Sequence, residues 1–200
     1  MTRNRAILAA TSIAAAAALL VAGCDSDQPA DPSPEPTQTS ASPTASASPT
    51  PSPTPTVKAP ERPKAMDDDG PAGAEAAAVY FLELDPYIMK TGDTTEYESM
   101  SLKGCKFCAN RVDQAREITA NDLVWHGGEM AARVTHTYEQ DATTGIWPID
   151  IDATIAAVSV TDPSGADVFS DPRTSTKYRV EIARADKQWR IVGIADQPKS

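Results

Sequence analysis

Residues 123–139 read LVWHGGEMAARVTHTYE, and the period of this stretch decides the fold. Met130, Ala132, Val134, His136 and Tyr138 alternate with Ala131, Arg133, Thr135, Thr137 and Glu139. A period of two puts alternate side chains on opposite faces of a strand, here one apolar and one polar. Gly127-Gly128 ahead of it is a hairpin signal, because glycine accepts the positive φ such turns require. The expectation is that Leu123 to His126 folds back across that turn onto the strand.

The same period continues downstream. Ile151, Ala153 and Ile155 alternate in one frame, and Val158 and Val160 in the other. A frame switch at Ala156-Ala157 predicts a β-bulge that curves the strand. Asp162-Pro163-Ser164-Gly165 is a turn, Tyr178, Val180 and Ile182 belong to a further strand, and Asp186-Lys187 turns into a last one. Trp189, Ile191, Val192 and Ile194 load both faces of that last strand, which predicts a central position.

Upstream the period is helical. Asp67-Asp68-Asp69-Gly70-Pro71 is a helix start, with carboxylates near the positive dipole end and proline in the first turn. Ala74, Ala77, Ala78, Phe81, Leu82 and Met89 follow at helical spacing, and Leu84 and Tyr87 broaden the face. Pro86 predicts a kink or an end, since it removes a donor and clashes with the turn before it. Gly92 is a C-terminal cap. A short helix is expected over 94–100. Cys108, Val112, Ala115 and Ile118 share one stripe of a third helix over 106–121, with Arg111, Asp113, Arg116 and Glu117 largely off it. Three helices ahead of an antiparallel sheet predict an α+β architecture with the helices on one face.

The ends of the chain speak about location. Arg3 and Arg5 precede an apolar run from Ile7 to Ala22, and Val21-Ala22-Gly23-Cys24 closes it. This has the build of an export signal, and the run is short for a membrane span of about 20 residues. The tetrad resembles the lipobox of bacterial lipoproteins. That resemblance implies cleavage after Gly23 (signal peptide 1–23), a palmitate-type lipid on Cys24, and a lipid-held position on the extracytoplasmic face of the cell membrane. Residues 24–64 then hold 11 of the 17 prolines. No aromatic residue stands before Tyr80, so this stretch lacks the apolar surface to offset the entropy of folding. It reads as a disordered tether, reaching on the order of 100 Å where it is extended. Residues 65–200 make up the folded domain.

Cleavage leaves 16 basic against 28 acidic residues. Without a basic cluster, nucleic-acid binding is excluded as a function class. Cys105 and Cys108 remain as an even pair in an oxidising compartment, which favours a structural disulfide. A redox centre is the alternative, with Lys103 and Lys106 nearby and a helix N-terminus to stabilise a thiolate. Against it, no strand precedes the pair as it does in a βαβ unit. A metal site would need further ligands, and only His126 and His136 are available as histidines. No metal and no cofactor is expected.

The first helix ending in Tyr87-Ile88-Met89-Lys90-Thr91-Gly92-Asp93, and a final hairpin ending in Gln188-Trp189-Arg190-Ile191-Val192, resemble the nuclear transport factor 2-like cone fold. Thr91-Gly92-Asp93, Ser101 and Cys105-x-x-Cys108 behind a lipobox and a Pro/Ser/Thr stalk resemble an uncharacterised family of actinobacterial lipoproteins, a domain of unknown function. The resemblance spans roughly residues 58–196 and implies a cavity between sheet and helices, with no catalytic residues to transfer. Tyr80, Tyr87, His136 and Trp147 are the candidate lining of that cavity. The function expected is non-catalytic binding of a small apolar ligand, a cell-wall component or an envelope protein. Two alternatives stand beside it: a cone-fold isomerase or dehydratase using His136 with Asp150 or Asp152, and a thiol–disulfide protein.

Overall fold

A computed structural model of the chain describes residues 57–198. The signal peptide, Cys24 and most of the 24–64 stretch lie outside the described residues. Three helices, α1 (Pro71–Thr91), α2 (Thr95–Ser99) and α3 (Lys106–Ala120), precede seven strands. These are β1 (Val124–Gly127), β2 (Met130–Thr137), β3 (Ile146–Ile155), β4 (Val158–Thr161), β5 (Asp167–Asp171), β6 (Thr174–Ala185) and β7 (Gln188–Asp196). All strand pairs are antiparallel, in a four-stranded sheet β2-β3-β6-β7 and a three-stranded sheet β1-β4-β5. The α+β expectation holds.

α1 starts with Pro71 in its first turn and ends at Gly92 in the left-handed conformation. Of the kink or end expected at Pro86, the end is not realised: the helix runs through the proline to the cap expected at Gly92. The missing donor costs one backbone bond, while Leu84, Asp85, Ile88 and Met89 are buried on both sides of the proline. Tertiary packing holds the helix together there. Ala74, Ala78, Phe81 and Ile88 meet Ile149, Ile151, Val180 and Ile182 in the core.

Gly127-Gly128 is not a hairpin turn. β1 pairs with β4, from Val124↔Thr161 to Gly127↔Val158, and β2 pairs with β3 from Met130↔Ile155 onward. The register never slips between the two ladders, and bonds from Gly128 N–H to the Ala157 carbonyl and from Ala156 N–H to the Glu129 carbonyl bridge the gap. β1–β2 and β3–β4 are therefore two long strands bent together at one corner. Both glycines have positive φ, and a Cβ on Gly127 would lie 2.1 Å from the Ala157 carbonyl oxygen. The frame switch at Ala156-Ala157 is the partner side of this corner and adds no extra residue.

A true bulge lies elsewhere, between Val134 and His136. It turns His136 away from the core: Val134 opposes inward Ile151, but His136 opposes Asp150 on the outer face. β7 is an edge strand, not a central one. Its doubled apolar pattern comes from a second bulge, beside Ile182, that leaves Val192 unpaired between Ile191 and Gly193. The edge is covered by the chain after α2, where Leu102 N–H donates to the Ile191 carbonyl (2.9 Å) and Ile191 N–H to that of Met100 (2.7 Å). β5 is exposed throughout, so no periodicity announced it.

Candidate functional site

α3 presents two adjacent stripes. Cys108, Val112, Ala115 and Ile118 face the core, while Phe107, Arg111 and Gln114, spaced i, i+4, i+7, face a cavity of about 210 Å³. Trp125, Gly128 and Met130 at the corner form a second wall, and Ile155, Ala156 and Val158 continue it. Phe169 and Asp171 of β5 stand on a third side with Tyr178 of β6.

Asp85 enters this cavity from α1. It sits at helical spacing in the apolar stripe Ala74, Ala78, Phe81, Ile88, and it is buried. A carboxylate in that position needs a partner. Arg111 supplies it with two parallel bonds, Nε to Oδ1 at 2.6 Å and Nη2 to Oδ2 at 2.5 Å, while Nη1 donates to Gln114 Oε1 at 2.6 Å. Burial pulls the Arg111 pKa down, and the bond and charge of Asp85 outweigh that, so it ends above its ordinary value. Close by, Tyr97 stacks on Phe81 with ring centres 4.1 Å apart, and its hydroxyl is buried without a partner. Burial and then the Asp85 charge push the Tyr97 and Tyr178 phenols upward. Sequence reasoning passed over both members of the ion pair. The signal was present as a carboxylate inside the apolar stripe of α1 and a Phe-Arg-Gln stripe beside the core stripe of α3.

The four residues expected to line a cavity do not meet in one. Tyr80 is buried in α1. Tyr87 donates to Asp93 Oδ2 at 3.1 Å beyond the helix end. Trp147 lies on the inner face of β3, its indole Nε1 buried without a partner. His136 is exposed on the outer face, for the reason of the bulge given above.

His136 and Asp150 are cross-strand neighbours, but outside the cone. Asp150 is already occupied: Arg179 donates Nε to Oδ1 (2.5 Å) and Nη2 to Oδ2 (3.1 Å), and the Tyr138 hydroxyl donates to Oδ2 (3.1 Å). The Arg179 bond, opposed by burial and aided by Tyr138, holds the Asp150 carboxyl below the usual aspartate range. A carboxylate so held is a weak base. Asp152 faces the same way and meets Arg133 at 3.4 Å. His126 lies on β1, its Nε2 3.1 Å from Thr161 Oγ1.

Cys105 and Cys108 are joined in a disulfide across three residues. Both are 1% exposed. Cys105 is the N-cap of α3, its Sγ accepting from Cys108 N–H at 3.2 Å, and its own N–H bonds the Leu102 carbonyl. The bridge thus anchors α3 to the segment that covers the β7 edge. Among the described residues, no group of three or more His, Cys, Asp or Glu is placed to hold a metal ion, and no helix is long and apolar enough to cross a membrane.

The class defined by these features is an α+β domain with helices on a bent antiparallel sheet and a polar-floored cavity at the bend. The chain belongs to a family of unknown function, DUF6318, whose pattern matches residues 41–195. It is similar in structure to the intermembrane space region of chloroplast protein ARC6. That match has 14% identity and a TM-score of 0.50, over 64% of this chain and 95% of that one. It is also similar to an uncharacterized protein with a cystatin-like fold from Caulobacter vibrioides, with 10% identity and a TM-score of 0.37, over 64% of this chain and 91% of that one. No curated protein matches the chain.

Proposed function

We propose that the protein is an extracytoplasmic lipoprotein, anchored through a lipid on Cys24, whose domain is a nuclear transport factor 2-like cone that binds a small, largely apolar ligand without transforming it. The observation that carries this reading is the cavity at the bend, walled by Phe107, Trp125, Met130, Phe169 and Tyr178. Aromatic walls over a few fixed polar groups are the usual build of a small-molecule site. The one carboxylate inside is already held by an arginine through two parallel bonds, which suits binding rather than proton transfer. The resemblance of Val21-Ala22-Gly23-Cys24 to a lipobox supports the location, the extracytoplasmic face of the cell membrane. Val168 and Phe169 stand exposed beside the mouth, 54% and 44% accessible, and offer a cell-envelope partner a foothold as the second occupant.

Native mass spectrometry of the full protein released from membranes tests the reading. The expected result is a noncovalent small molecule on the wild type and none on Ala156→Phe, which fills the cavity. Retention of the ligand by that variant, or recovery of the wild type only without ligand, would overturn it. Metabolic labelling with a fatty-acid analogue tests the anchor: label is expected on the wild type and not on Cys24→Ala.

A further inference from the structure

The charge arrangement around the cavity carries the ligand chemistry further. Arg111 is its only cation, and Asp85 neutralises it through two parallel bonds. Asp171 at the β5 end adds a second carboxylate, so the lining carries one negative charge in excess. An anion entering here would meet no free positive charge and one repelling neighbour, the exposed Asp171, and would give up its own hydration against apolar walls. A guanidinium has five N–H donors. Asp85 takes two and Gln114 one, which leaves two for an acceptor from outside the protein. Gln114 and Asp85 together hold the guanidinium plane, so those two donors are oriented before any ligand arrives. Apart from Thr174 and the unpartnered Trp125 indole N–H, the remaining walls are aromatic or aliphatic.

We propose that the cavity selects uncharged, ring-bearing molecules with a carbonyl or ether oxygen, the oxygen placed on the two spare Arg111 N–H groups, and that it rejects carboxylates of the same shape. This rests on the ligand-binding reading given above. In that arrangement Asp85 is a selectivity residue: it holds the arginine in place and cancels its attraction for anions.

Matched fluorescent probes test this on the full protein. 7-Methoxycoumarin is neutral and has a carbonyl acceptor, 7-methoxycoumarin-4-acetate adds a carboxylate, and naphthalene has the ring without the acceptor. The expected order is 7-methoxycoumarin first, naphthalene about five-fold weaker for the lost hydrogen bond, and the acetate at least about ten-fold weaker for its uncompensated charge. Bound coumarin should quench Trp125 emission, and most of that quenching should disappear in Trp125→Phe. Asp85→Asn frees the Arg111 charge and should reverse the preference toward the acetate. Asp171→Asn, an exposed change that leaves the fold intact, should narrow the gap by about two- to three-fold. The class is overturned if the acetate, or an aminomethyl analogue with a positive charge, binds as tightly as 7-methoxycoumarin, or if naphthalene equals it. Quenching unchanged in Trp125→Phe also overturns the proposal, because the ligand then sits elsewhere. If none of the probes binds, the ligand-binding reading of the cavity fails with it; an altered order among probes that do bind sinks only the chemical class.

Discussion

Two arginine–aspartate pairs divide this domain between an inside and an outside. Arg111–Asp85 joins α3 to α1 at the floor of the cavity, and Arg179–Asp150 joins β6 to β3 on the outer face of the sheet. Exposure does not separate them: the arginine side chains are 24% and 25% accessible and the carboxylates 8% and 12%. Their surroundings do. Arg179 lies with its Cζ 4.5 Å from the Tyr138 ring centre and donates to that residue's hydroxyl at 2.9 Å, while the hydroxyl donates in turn to Asp150. The outer group ties β3 and β6 to Tyr138, the residue that follows β2. Each arginine keeps two N–H groups without a partner, but only Arg111 lines a cavity. Burial is the foremost influence on the pKa of Arg111, whereas the bond to Asp150 is foremost for Arg179. The same pair of residue types serves as a fastener on the outer face of the sheet and as part of a site where its spare donors border a cavity.

The comparison breaks most readily at the carboxylates. Asp85→Ala leaves a guanidinium in a desolvated place, and a loss of about 3–5 kcal/mol is expected in urea unfolding. Asp150→Ala leaves Arg179 with the Tyr138 hydroxyl and ring, and about 1–2 kcal/mol is expected. Equal losses, or the reverse order, would erase the distinction between the two regions. Removing the disulfide with Cys105→Ser/Cys108→Ser should cost about 2 kcal/mol by loop-closure entropy. Because α3 begins at that bridge, hydrogen exchange should quicken around Arg111 and stay unchanged around Arg179; uniform quickening would show that the bridge does not act locally.

The smallest effect is the acid response of the outer pair. The Asp150 carboxyl is held below its ordinary value of about 4, so its contribution is fully present above that pH and is lost as the pH falls through the depressed folded value. The stability gap between wild type and Asp150→Asn, measured at neutral pH, should therefore narrow once the pH drops below about 4. A gap that narrows above pH 5 would assign the loss to another group.

Much of the helical half was legible. Pro71 and Gly92 mark the ends of α1 because each suits one backbone conformation, and the Cys108-Val112-Ala115-Ile118 stripe marks the buried side of α3. The absence of a strand before Cys105 argued for a bridge over a redox centre, and both sulfurs lie in the core cluster. The sheet was less legible. Alternation in 130–138 has one period, yet the bulge at Thr135 moves His136 and Tyr138 to the other face without altering a single letter of the pattern. His136 left the candidate lining for that reason: the reading assumed that one face of the strand stays one face along its whole length.

The sequence by itself determined what local backbone chemistry determines. It specified the helix limits, the α+β class, the sulfur pair and the alternation of the strands, since caps, prolines and periodicity act within a few residues of themselves. Tertiary structure alone decided that Gly127-Gly128 bends a paired ladder instead of reversing the chain, and that Asp85 and Arg111, 26 residues apart, share one cavity. The physical reason is the same in both cases. A glycine pair permits a turn and a bend equally, and a buried charge states only that it needs a partner. Which outcome is realised depends on the strand or helix that packs against it.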